Sequence, residues 1–280
     1  MLIDKIFKVE NRTAKQIQNH YEIEKDLARR LKNASREERK YLYSTFYDEL
    51  YRKVPDHPQL KVKADINLKR KSVERQMSLL CKYLDKDSIF LELGPGDCQL
   101  SFEVAKYVKK VYAIDVSKEI TMNPHQPKNF KLLISDGFSV EIQPNIIDIA
   151  YSNQLMEHLH PDDALDQLKG IYNAMIPGGI YICITPHRFT GPQDISKYFD
   201  NVATGFHLRE YTNKELYQLF KFVGFSKIES FLGENGIYVK IPINSIILIE
   251  NFIEKISYNL RKIISKGLLF GFRIIIIAIK

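Results

Sequence analysis

Short apolar segments alternate with helical segments between residues 88 and 231, and this alternation limits the fold more than any other feature of the sequence. Strands separated by helices pair in parallel, because each crossover between parallel strands carries a helix onto a face of the sheet. We therefore predict an α/β fold with a mostly parallel sheet. The six strands predicted in this region are residues 88–93, 111–114, 130–134, 146–151, 180–184 and 226–231.

The sequence after residue 243 departs from this alternation. The β-branched run Ile274–Ile277 predicts a strand at about 271–279 that is covered on both faces and lies antiparallel beside the sixth strand. Before it, apolar residues recur at helical spacing, which predicts a helical insertion at about 244–266 with one apolar face. These residues are Ile246, Ile249, Ile253, Ile256, Leu260 and Ile263.

Residues 1–66 are predicted to form a helical extension that acts as a lid, and residues 67–280 to form the main domain. Ser35 and Glu38 have the spacing of a capping box, which predicts the start of one helix in the extension. The prolines of Val54–Pro58 predict a break between helices. The extension therefore precedes the alternating region without belonging to it.

The formal net charge of +7 is unevenly distributed along the chain. Between residues 240 and 280, the Lys and Arg residues are opposed only by Glu250 and Glu254. A basic C-terminal helix predicts a peripheral contact with an anionic membrane surface. The alternative is that these charges only form a solvent-exposed basic face. The basic residues of this helix are Lys255, Arg261, Lys262 and Lys266.

The cysteines, Cys81, Cys98 and Cys183, have no C-x-x-C spacing. They predict neither a disulfide framework nor a zinc site, and no other metal site is expected. Charged residues near the N-terminus leave no apolar segment for a signal peptide. The most apolar segment, Gly267–Ile279, is too short to span a bilayer as a helix. We therefore expect a cytoplasmic protein, whose oligomeric state the sequence does not indicate.

The segment Glu92-Leu-Gly-Pro-Gly-Asp97 lies between the first predicted strand and a helix. Gly94 and Gly96 allow the backbone to approach a ligand closely, and a turn of this kind leaves amide groups free to contact it. A dinucleotide-binding fingerprint would need a small residue where this sequence has Gln99, which disfavours pyrophosphate binding. The turn is predicted to bind a cofactor, the alternative being a simple tight turn.

Polar residues end the next three predicted strands. Asp115 ends the second, where a carboxylate can accept both ribose hydroxyls of a nucleoside, the alternative being a helix cap. Asp136 ends the third, at the position expected for adenine. Asn153 and Gln154 follow the fourth, near the expected reactive end of the ligand. Since open α/β sheets bind ligands at the carboxyl ends of their strands, these residues are predicted to line one site.

The ordered set of these segments resembles the class I S-adenosylmethionine-dependent methyltransferases, and most closely the group that includes the ubiquinone and menaquinone biosynthesis enzymes. The resemblance covers about residues 70–232. It is carried by Glu92–Asp97, Tyr112–Asp115, Ile134–Gly137, Asp148–Asn153, Met156–His158 and Met175–Gly179. It implies a Rossmann-like seven-stranded sheet with an antiparallel last strand, and S-adenosylmethionine (SAM) as the cofactor.

The resemblance also implies roles for single residues. Gly94 and Gly96 would lie under the methionine part of SAM, Asp115 would bind its ribose, and Asn153 would flank the sulfonium. The full cofactor-binding set that it implies is Glu92, Gly94, Gly96, Asp115, Val116, Asp136, Gly137, Asn153 and Gln154.

The implied function is in-line methyl transfer, and the resemblance leaves the acceptor open. We expect an oxygen or nitrogen of a small-molecule, saccharide or lipid-linked acceptor. A nucleic-acid acceptor is not expected, because Ser152-Asn-Gln-Leu155 stands where a target-base motif with two prolines would follow the fourth strand. Three alternatives remain open: an inactive SAM-binding scaffold, an aminopropyl transferase, and a nicotinamide-dependent oxidoreductase, against which Gln99 argues.

Residues 186–211 form a long segment between the fifth strand and a capping box at Thr212. Ordered loops beyond about 15 residues are uncommon and usually functional. We predict that this loop and the N-terminal helices form the acceptor pocket, with His207 or Asp194 as the general base. The alternative is that the charged residues only hold the loop by ion pairs. His158 is a further catalytic candidate, although its place in a Glu-His pair common to relatives with unlike substrates suggests a structural or cofactor-side role.

Overall fold

The computed structural model describes residues 11–117, 126–234, 236–268 and 273–280. Its centre is a sheet with the strand order β3-β2-β1-β4-β5-β8-β6-β7. The first five strands pair in parallel, and β8 lies antiparallel between β5 and β6. The predicted α/β fold is therefore confirmed. The strands are β1 (Ile89–Leu93), β2 (Lys110–Asp115), β3 (Phe130–Ile134), β4 (Ile147–Asn153), β5 (Met175–Pro186), β6 (Lys227–Glu234), β7 (Ile237–Ile241) and β8 (Arg273–Ile279).

Helices cover the sheet and its carboxyl edge. They are α1 (Ala14–Asn33), α2 (Arg36–Lys53), α3 (Pro58–Ala64), α4 (Ile66–Leu80), α5 (Gln99–Val104), α6 (Pro161–Ala174), α7 (Asn213–Val223), α8 (Ile243–Ile253) and α9 (Tyr258–Leu268). Short 3₁₀ helices lie at Met156–His158, Arg188–Thr190 and Ile195–Tyr198. Among the helices that the structure describes, none is long and apolar enough to cross a membrane.

The strand order reverses between β1 and β4, because β2 and β3 lie on one side of β1 while β4 and β5 lie on the other. An open α/β sheet leaves a crevice at the carboxyl ends of its strands at such a point. Gly94, Asp115 and Asn153 all stand at this edge, after or at the ends of β1, β2 and β4. The topology therefore brings together residues that lie far apart in the sequence.

The last strand occupies the interior of the sheet. Ile277 of β8 is paired with Ile182 of β5 on one side and with Glu229 of β6 on the other. Residues 274–278 are buried, as expected for a β-branched run covered on both faces. The predicted antiparallel last strand is confirmed, and its first two predicted residues, 271 and 272, lie outside the described residues.

Within the residues that the structure describes, the sheet has eight strands, where seven were predicted. The additional strand, β7, forms an antiparallel hairpin with β6 at the sheet edge. Its side chains are mostly exposed, with Ile237 75% exposed. An edge strand with little burial lacks the apolar pattern by which buried strands are identified, which explains why the sequence did not indicate it.

The insertion before β8 contains two helices, α8 and α9, where the sequence predicted one continuous helix. The backbone N–H groups of Lys255 and Ile256 donate to the carbonyls of Phe252 and Ile253, at 3.2 and 3.1 Å, and these tighter bonds end α8. The interruption is short enough that the apolar residues on both sides keep helical spacing. Periodicity alone therefore could not reveal it.

The N-terminal helices pack directly on the main domain. Arg39 of α2 and Asp163 of α6 form a buried two-point ion pair, with N–O distances of 2.6 and 2.7 Å. Tyr43 donates a further hydrogen bond to Asp163 at 2.9 Å. Leu27 and Phe46 of α1 and α2 belong to the same core cluster as the β1 strand. These helices are thereby fixed above the carboxyl edge of the sheet.

Candidate functional site

A cavity of about 390 Å³ lies at the carboxyl ends of β1, β2 and β4, and we refer to it as the first cavity. Its volume falls within the range of about 300–1,000 Å³ that is typical of ligand pockets. The predicted residues that line it are Glu92, Gly94, Gly96, Asp115, Val116, Gly137, Asn153 and Gln154. All the predicted cofactor-site residues except Asp136 are thus brought to one cavity.

The glycine turn shapes the floor of this cavity. Gly94 and Gly96 have φ values of +64° and +58°, in the left-handed region that favours glycine. A Cβ built on Gly96 would meet no atom within 4 Å, whereas one on Gly94 would lie 3.1 Å from Leu155. The backbone at Gly96 therefore borders open space in which a ligand can approach it closely.

Glu92 is a buried carboxyl group at the end of β1. Ser101 donates a hydrogen bond of 2.5 Å to its Oε2. Burial raises the pKa of Glu92 to about 7, and the charge of Asp97 adds to this effect. A cationic group of a ligand in the cavity would stabilise the ionised form of this carboxyl.

Asp115 and Asp136 end neighbouring strands but are used differently. The Asp115 carboxylate lies at the cavity and accepts a hydrogen bond from the Ser117 backbone at 3.1 Å. The Asp136 carboxylate instead accepts from the backbone and hydroxyl of Ser139, both at 2.8 Å. Although burial acts to raise it, these hydrogen bonds lower the pKa of Asp136. Asp136 thus stabilises its own turn and is not among the described residues that line the cavity.

Asn153 and Gln154 carry polar atoms without partners. Asn153 donates to Gln76 at 3.1 Å, but its Oδ1 is buried with no hydrogen-bond partner in the described part of the chain, and the same holds for Gln154 Nε2. Gln154 also has a left-handed φ of +55°. Buried polar groups in proteins are nearly always satisfied. This acceptor and this donor therefore fit a polar ligand that occupies the cavity.

Several residues of this cavity were not identified from the sequence. Tyr47 and Tyr51 of α2 and Gln76 of α4 line it from the helices before β1. Gln76 accepts from Tyr151 as well as from Asn153, which ties α4 to β4. These residues lie on helices and form no local motif, so the sequence offered no signal for them.

A second cavity of about 360 Å³ adjoins the first. Tyr47, Gln59 and Gln154 line both cavities. The other residues of the second cavity come from α1 and the position before it, from α2, the segment around α3, the 3₁₀ helix at Met156–His158 and the 186–211 loop. Its polar residues are Arg12, His20, Glu24, His57, Gln193, Asp194, Lys197, His158 and His207. The three predicted catalytic residues thus share one cavity wall.

The 186–211 loop is held against α1. Glu24 accepts hydrogen bonds from His20 Nε2 at 2.7 Å and from the Phe206 backbone at 3.0 Å. Tyr21 donates to Asp200 at 2.7 Å and stacks on Phe199 at a ring distance of 4.2 Å. The loop and the N-terminal extension therefore close the second cavity together.

The environments of the two histidines differ. His158 Nδ1 lies 2.9 Å from the Phe206 carbonyl, and His207 Nδ1 lies 2.9 Å from Glu210 Oε1. Burial lowers the pKa of His158 to about 3. Burial also acts to lower that of His207, but the hydrogen bond to Glu210 and the charges of the Glu157, Asp194 and Glu210 carboxylates together outweigh it and raise the pKa to about 9. At neutral pH, His158 is uncharged and His207 is protonated, which argues against the predicted role of His207 as a general base.

Asp194 is the remaining predicted catalytic residue. Its Oδ1 accepts from the backbone of Ser196 at 3.0 Å and from the Ser196 hydroxyl, and its Oδ2 accepts from the His207 backbone at 3.2 Å. Burial raises the pKa of Asp194. A carboxylate offers about four acceptor positions, so these bonds still allow it to accept a proton from a bound molecule.

The other charged residues of the loop hold it in place. His187 is fully buried, and its Nε2 lies 2.8 Å from Glu250 of α8. Arg188 and Arg209 form ion pairs with Glu215 of α7, at 2.8 and 3.1 Å. For these three residues the alternative stated from the sequence, local ion pairing, describes the structure.

A family model described as a methyltransferase domain matches residues 91–183. This segment runs from β1 to β5 and includes the glycine turn, Asp115 and Asn153. No curated protein sequence matches the chain.

Solved structures of methyltransferases share the fold. A SAM-dependent methyltransferase from Archaeoglobus fulgidus is 18% identical with a TM-score of 0.52, over 75% of this chain and 94% of that chain. A chain from the complex between the Haloferax volcanii Trm112 methyltransferase activator and the putative methyltransferase is 12% identical with a TM-score of 0.55. The match covers 76% of this chain and 92% of that chain. Phosphoethanolamine N-methyltransferase 2 from Haemonchus contortus, solved with SAM, is 16% identical with a TM-score of 0.52. The match covers 73% of this chain and 52% of that chain. At these identities the likeness establishes the fold.

Proposed function

We propose that this chain is a class I SAM-dependent methyltransferase, as its methyltransferase-domain match supports, and that its first cavity holds SAM while its second cavity holds the methyl acceptor. The observation that carries this proposal is that Tyr47, Gln59 and Gln154 line both cavities. In-line transfer needs the acceptor atom and the methyl carbon to meet in a defined geometry. The junction of the two cavities provides a place where they can meet.

The residues of the first cavity fit the parts of SAM, which supplies a methyl carbon activated by its sulfonium. Asp115 would accept hydrogen bonds from the ribose hydroxyls, and the open space at Gly96 would hold the methionine part. Glu92 is suited to the ammonium group, because a cation would keep its carboxyl ionised. The unpartnered atoms of Asn153 and Gln154 would gain polar contacts near the junction.

The second cavity favours an acceptor rich in hydroxyl groups. Ligand pockets are usually lined by apolar and aromatic side chains, but most residues of this cavity carry a hydrogen-bonding group. We therefore place a saccharide first among acceptors, either free or lipid-linked, ahead of an apolar small molecule. Methylation would then occur on oxygen.

We assign the role of proton acceptor in O-methylation to Asp194. A base with a raised pKa is the stronger base, and burial raises the pKa of Asp194 whereas it lowers that of His158. His207, which is protonated at neutral pH, would orient an acceptor oxygen. His158 would then support the cavity wall through its bond to the Phe206 carbonyl.

Cofactor binding is tested by calorimetry with SAM. Asp115→Ala should weaken SAM binding by roughly 1–3 kcal/mol, the scale of losing hydrogen bonds to a charged group. Asp162→Asn is a suitable control, because its side chain is 81% exposed at the start of α6. Unchanged affinity in the Asp115 variant would contradict the assignment of this cavity to SAM.

The acceptor is tested by methyl incorporation from labelled SAM into panels of saccharides, lipid-linked saccharides, phenols and amines. With an accepted substrate, Asp194→Asn should lower turnover at least about tenfold, roughly 1.4 kcal/mol of barrier, while SAM affinity is kept. Methylation of amines alone would exclude the saccharide. Aminopropyl transfer in place of methyl transfer, or SAM binding with no turnover on any panel, would favour the alternatives left open by the sequence.

We also propose a cytoplasmic protein with a peripheral membrane contact through α8 and α9. Leu248 and Phe252 of α8 and Ile263 of α9 are 71%, 70% and 68% exposed. Lys255 and Lys262 lie within or beside these helices. Apolar side chains next to basic ones are typical of helices that rest on anionic lipid.

A further inference from the structure

Three potential metal ligands meet at the wall of the second cavity. Glu157 and His158 belong to the 3₁₀ helix after β4, and His207 belongs to the 186–211 loop. One ligand atom from each of these residues lies within 4.8 Å of the other two. His158 and His207 line the cavity itself, with ring centroids 4.9 Å apart.

Each imidazole is oriented through one of its nitrogens. His158 Nδ1 lies 2.9 Å from the Phe206 carbonyl, which can only accept, so Nδ1 carries the hydrogen. His207 Nδ1 lies 2.9 Å from the Glu210 carboxylate, which is the same arrangement with a charged acceptor. Histidines that bind metals almost always donate their second N–H to a carbonyl or carboxylate in this way. The Nε2 atom of each ring is left as the coordinating atom, and on His207 the bound cation would displace the Nε2 proton that the ring carries in the metal-free protein.

Glu157 supplies a carboxylate oxygen that the described residues do not satisfy. Its side chain is fully buried, and its Oε2 accepts a hydrogen bond from Thr185 at 2.9 Å. Its Oε1 is buried without any hydrogen-bond partner within the described ranges. A buried carboxylate oxygen needs a donor or a cation, because it has lost its hydration.

We propose that Glu157, His158 and His207 bind one divalent transition-metal cation, through Oε1 of the carboxylate and Nε2 of each ring. Two imidazoles and one carboxylate suit Zn²⁺, Fe²⁺, Mn²⁺ or Co²⁺ better than Ca²⁺ or Mg²⁺. Bonds of about 2.0–2.2 Å place ligand atoms roughly 3–4 Å apart, so small side-chain movements would complete the site. The remaining coordination positions would face the second cavity.

A second cluster in the same cavity lacks these features. One ligand atom from each of His20, Glu24 and His57 also lies within 4.8 Å of the others. However, the Arg12 guanidinium donates to His20 Nδ1 at 2.8 Å, and Glu24 already accepts from His20 and from the Phe206 backbone. A cation there would face the charge of Arg12. This cluster is a hydrogen-bond network, and it offers a matched control.

The proposal revises the expectation that the chain has no metal site. That expectation rested on cysteine spacing, whereas these ligands come from two segments that are distant in sequence and meet only in the fold. The meaning of the open positions rests on the proposed function, since they would face an acceptor oxygen only if the second cavity holds the acceptor.

Metal binding is tested on the full chain without a histidine tag. The protein is equilibrated separately with Zn²⁺ and Co²⁺, and bound metal is measured by mass spectrometry and by the visible absorption of Co²⁺. About one equivalent per chain is expected. His158→Ala and His207→Ala should each weaken binding at least tenfold, Glu157→Gln should do so without changing side-chain shape, and His57→Gln should bind as the parent does.

Calorimetry with SAM on the same preparations shows whether each variant is folded. The proposal is overturned if the parent binds SAM but takes up neither Zn²⁺ nor Co²⁺, or if the His158 and His207 variants bind metal as the parent does. Equal loss in the His57 variant would also overturn it, by moving the metal to the other cluster. Failure to bind SAM in the parent would instead count against the proposed function.

Discussion

Glu24 is a single carboxylate that joins the N-terminal extension to the 186–211 loop. It is 5% exposed and accepts from His20 of its own helix and from the Phe206 backbone. Burial alone would raise the pKa of Glu24, but the hydrogen bonds from His20 and the Phe206 backbone, with the His57 ring 3.6 Å away, together outweigh it and hold the pKa well below its usual range. The ionised form is therefore the one that the folded protein stabilises.

Glu24→Gln should destabilise the protein at neutral pH by roughly 1–3 kcal/mol, as expected when a hydrogen-bonded buried charge is removed. Because the folded pKa lies below the unfolded one, the contribution of Glu24 is fully present above about pH 4.5 and is lost as the pH falls toward the folded pKa. Urea unfolding at pH 7 and pH 4 should show the difference from the parent shrinking. The exposed Glu22→Gln is the control, and a difference that stays constant would contradict this account.

Among single residues, the sequence predicted those whose role depends on neighbouring positions in the chain. Gly94, Gly96 and Asp115 were identified because a strand, a turn and a strand end are contiguous features. Gln76 and Glu24 were not, because their roles depend on contacts between distant segments. Asp136 occupies the predicted strand end, but Ser139 captures its carboxylate three residues later. Its position at a strand end determines where the Asp136 backbone lies, but not which group its carboxylate binds.

Among the elements, β8 has the largest effect on the sheet, since among the described strands it alone joins the β6–β7 hairpin to β5. Ile276 at its centre is fully buried. Ile276→Asp should abolish cooperative unfolding, because it places an unpaired charge in the apolar core on one face of the sheet. Thermal unfolding followed by circular dichroism measures this.

Ile237→Asp on the exposed edge strand β7 is the matched control for that substitution and should change the melting temperature little. Deleting residues 273–280 should likewise unfold the domain. A soluble truncated protein with an unchanged melting temperature would contradict the placement of β8 inside the sheet.

Elements were predictable from the sequence where burial imposes a pattern. The isoleucine run of β8 is covered on both faces and was identified as a strand, whereas β7 is exposed and was missed. The break between α8 and α9 preserved the apolar spacing, so two helices looked like one. The spacing of apolar residues thus indicates which side chains are buried, and it indicates a helix or strand only where that element is partly buried.

For the whole molecule, the exposed surface of α8 and α9 predicts binding to vesicles that contain anionic lipid. Leu248→Ser with Phe252→Ser should lower the bound fraction several-fold in a sedimentation assay, because the apolar side chains that would enter the interface are removed. Raising the salt concentration should lower it as well, since screening weakens the attraction of the basic residues. Ile66→Ser, at a position 79% exposed on α4, is the control.

A vesicle-bound fraction that does not change with salt concentration or with the Leu248 and Phe252 substitutions would contradict the membrane contact through α8 and α9. The charge pattern of the sequence predicted this surface only in outline. The structure adds which apolar residues of α8 lie outside: Ile246 and Ile253 are buried, whereas Leu248 and Phe252 are exposed.

The interior position of β8 has a kinetic consequence. Its partner β5 precedes it by the whole of α7, the β6–β7 hairpin, α8 and α9. Contacts between segments so distant in sequence form slowly, because loop closure must come before the pairing that stabilises it. Until β8 arrives, one edge of β5 and one edge of β6 stay open, and open edges template pairing with other chains. Refolding of this protein should therefore lose yield to aggregation as its concentration rises, through an intermediate in which β1 to β5 have already paired.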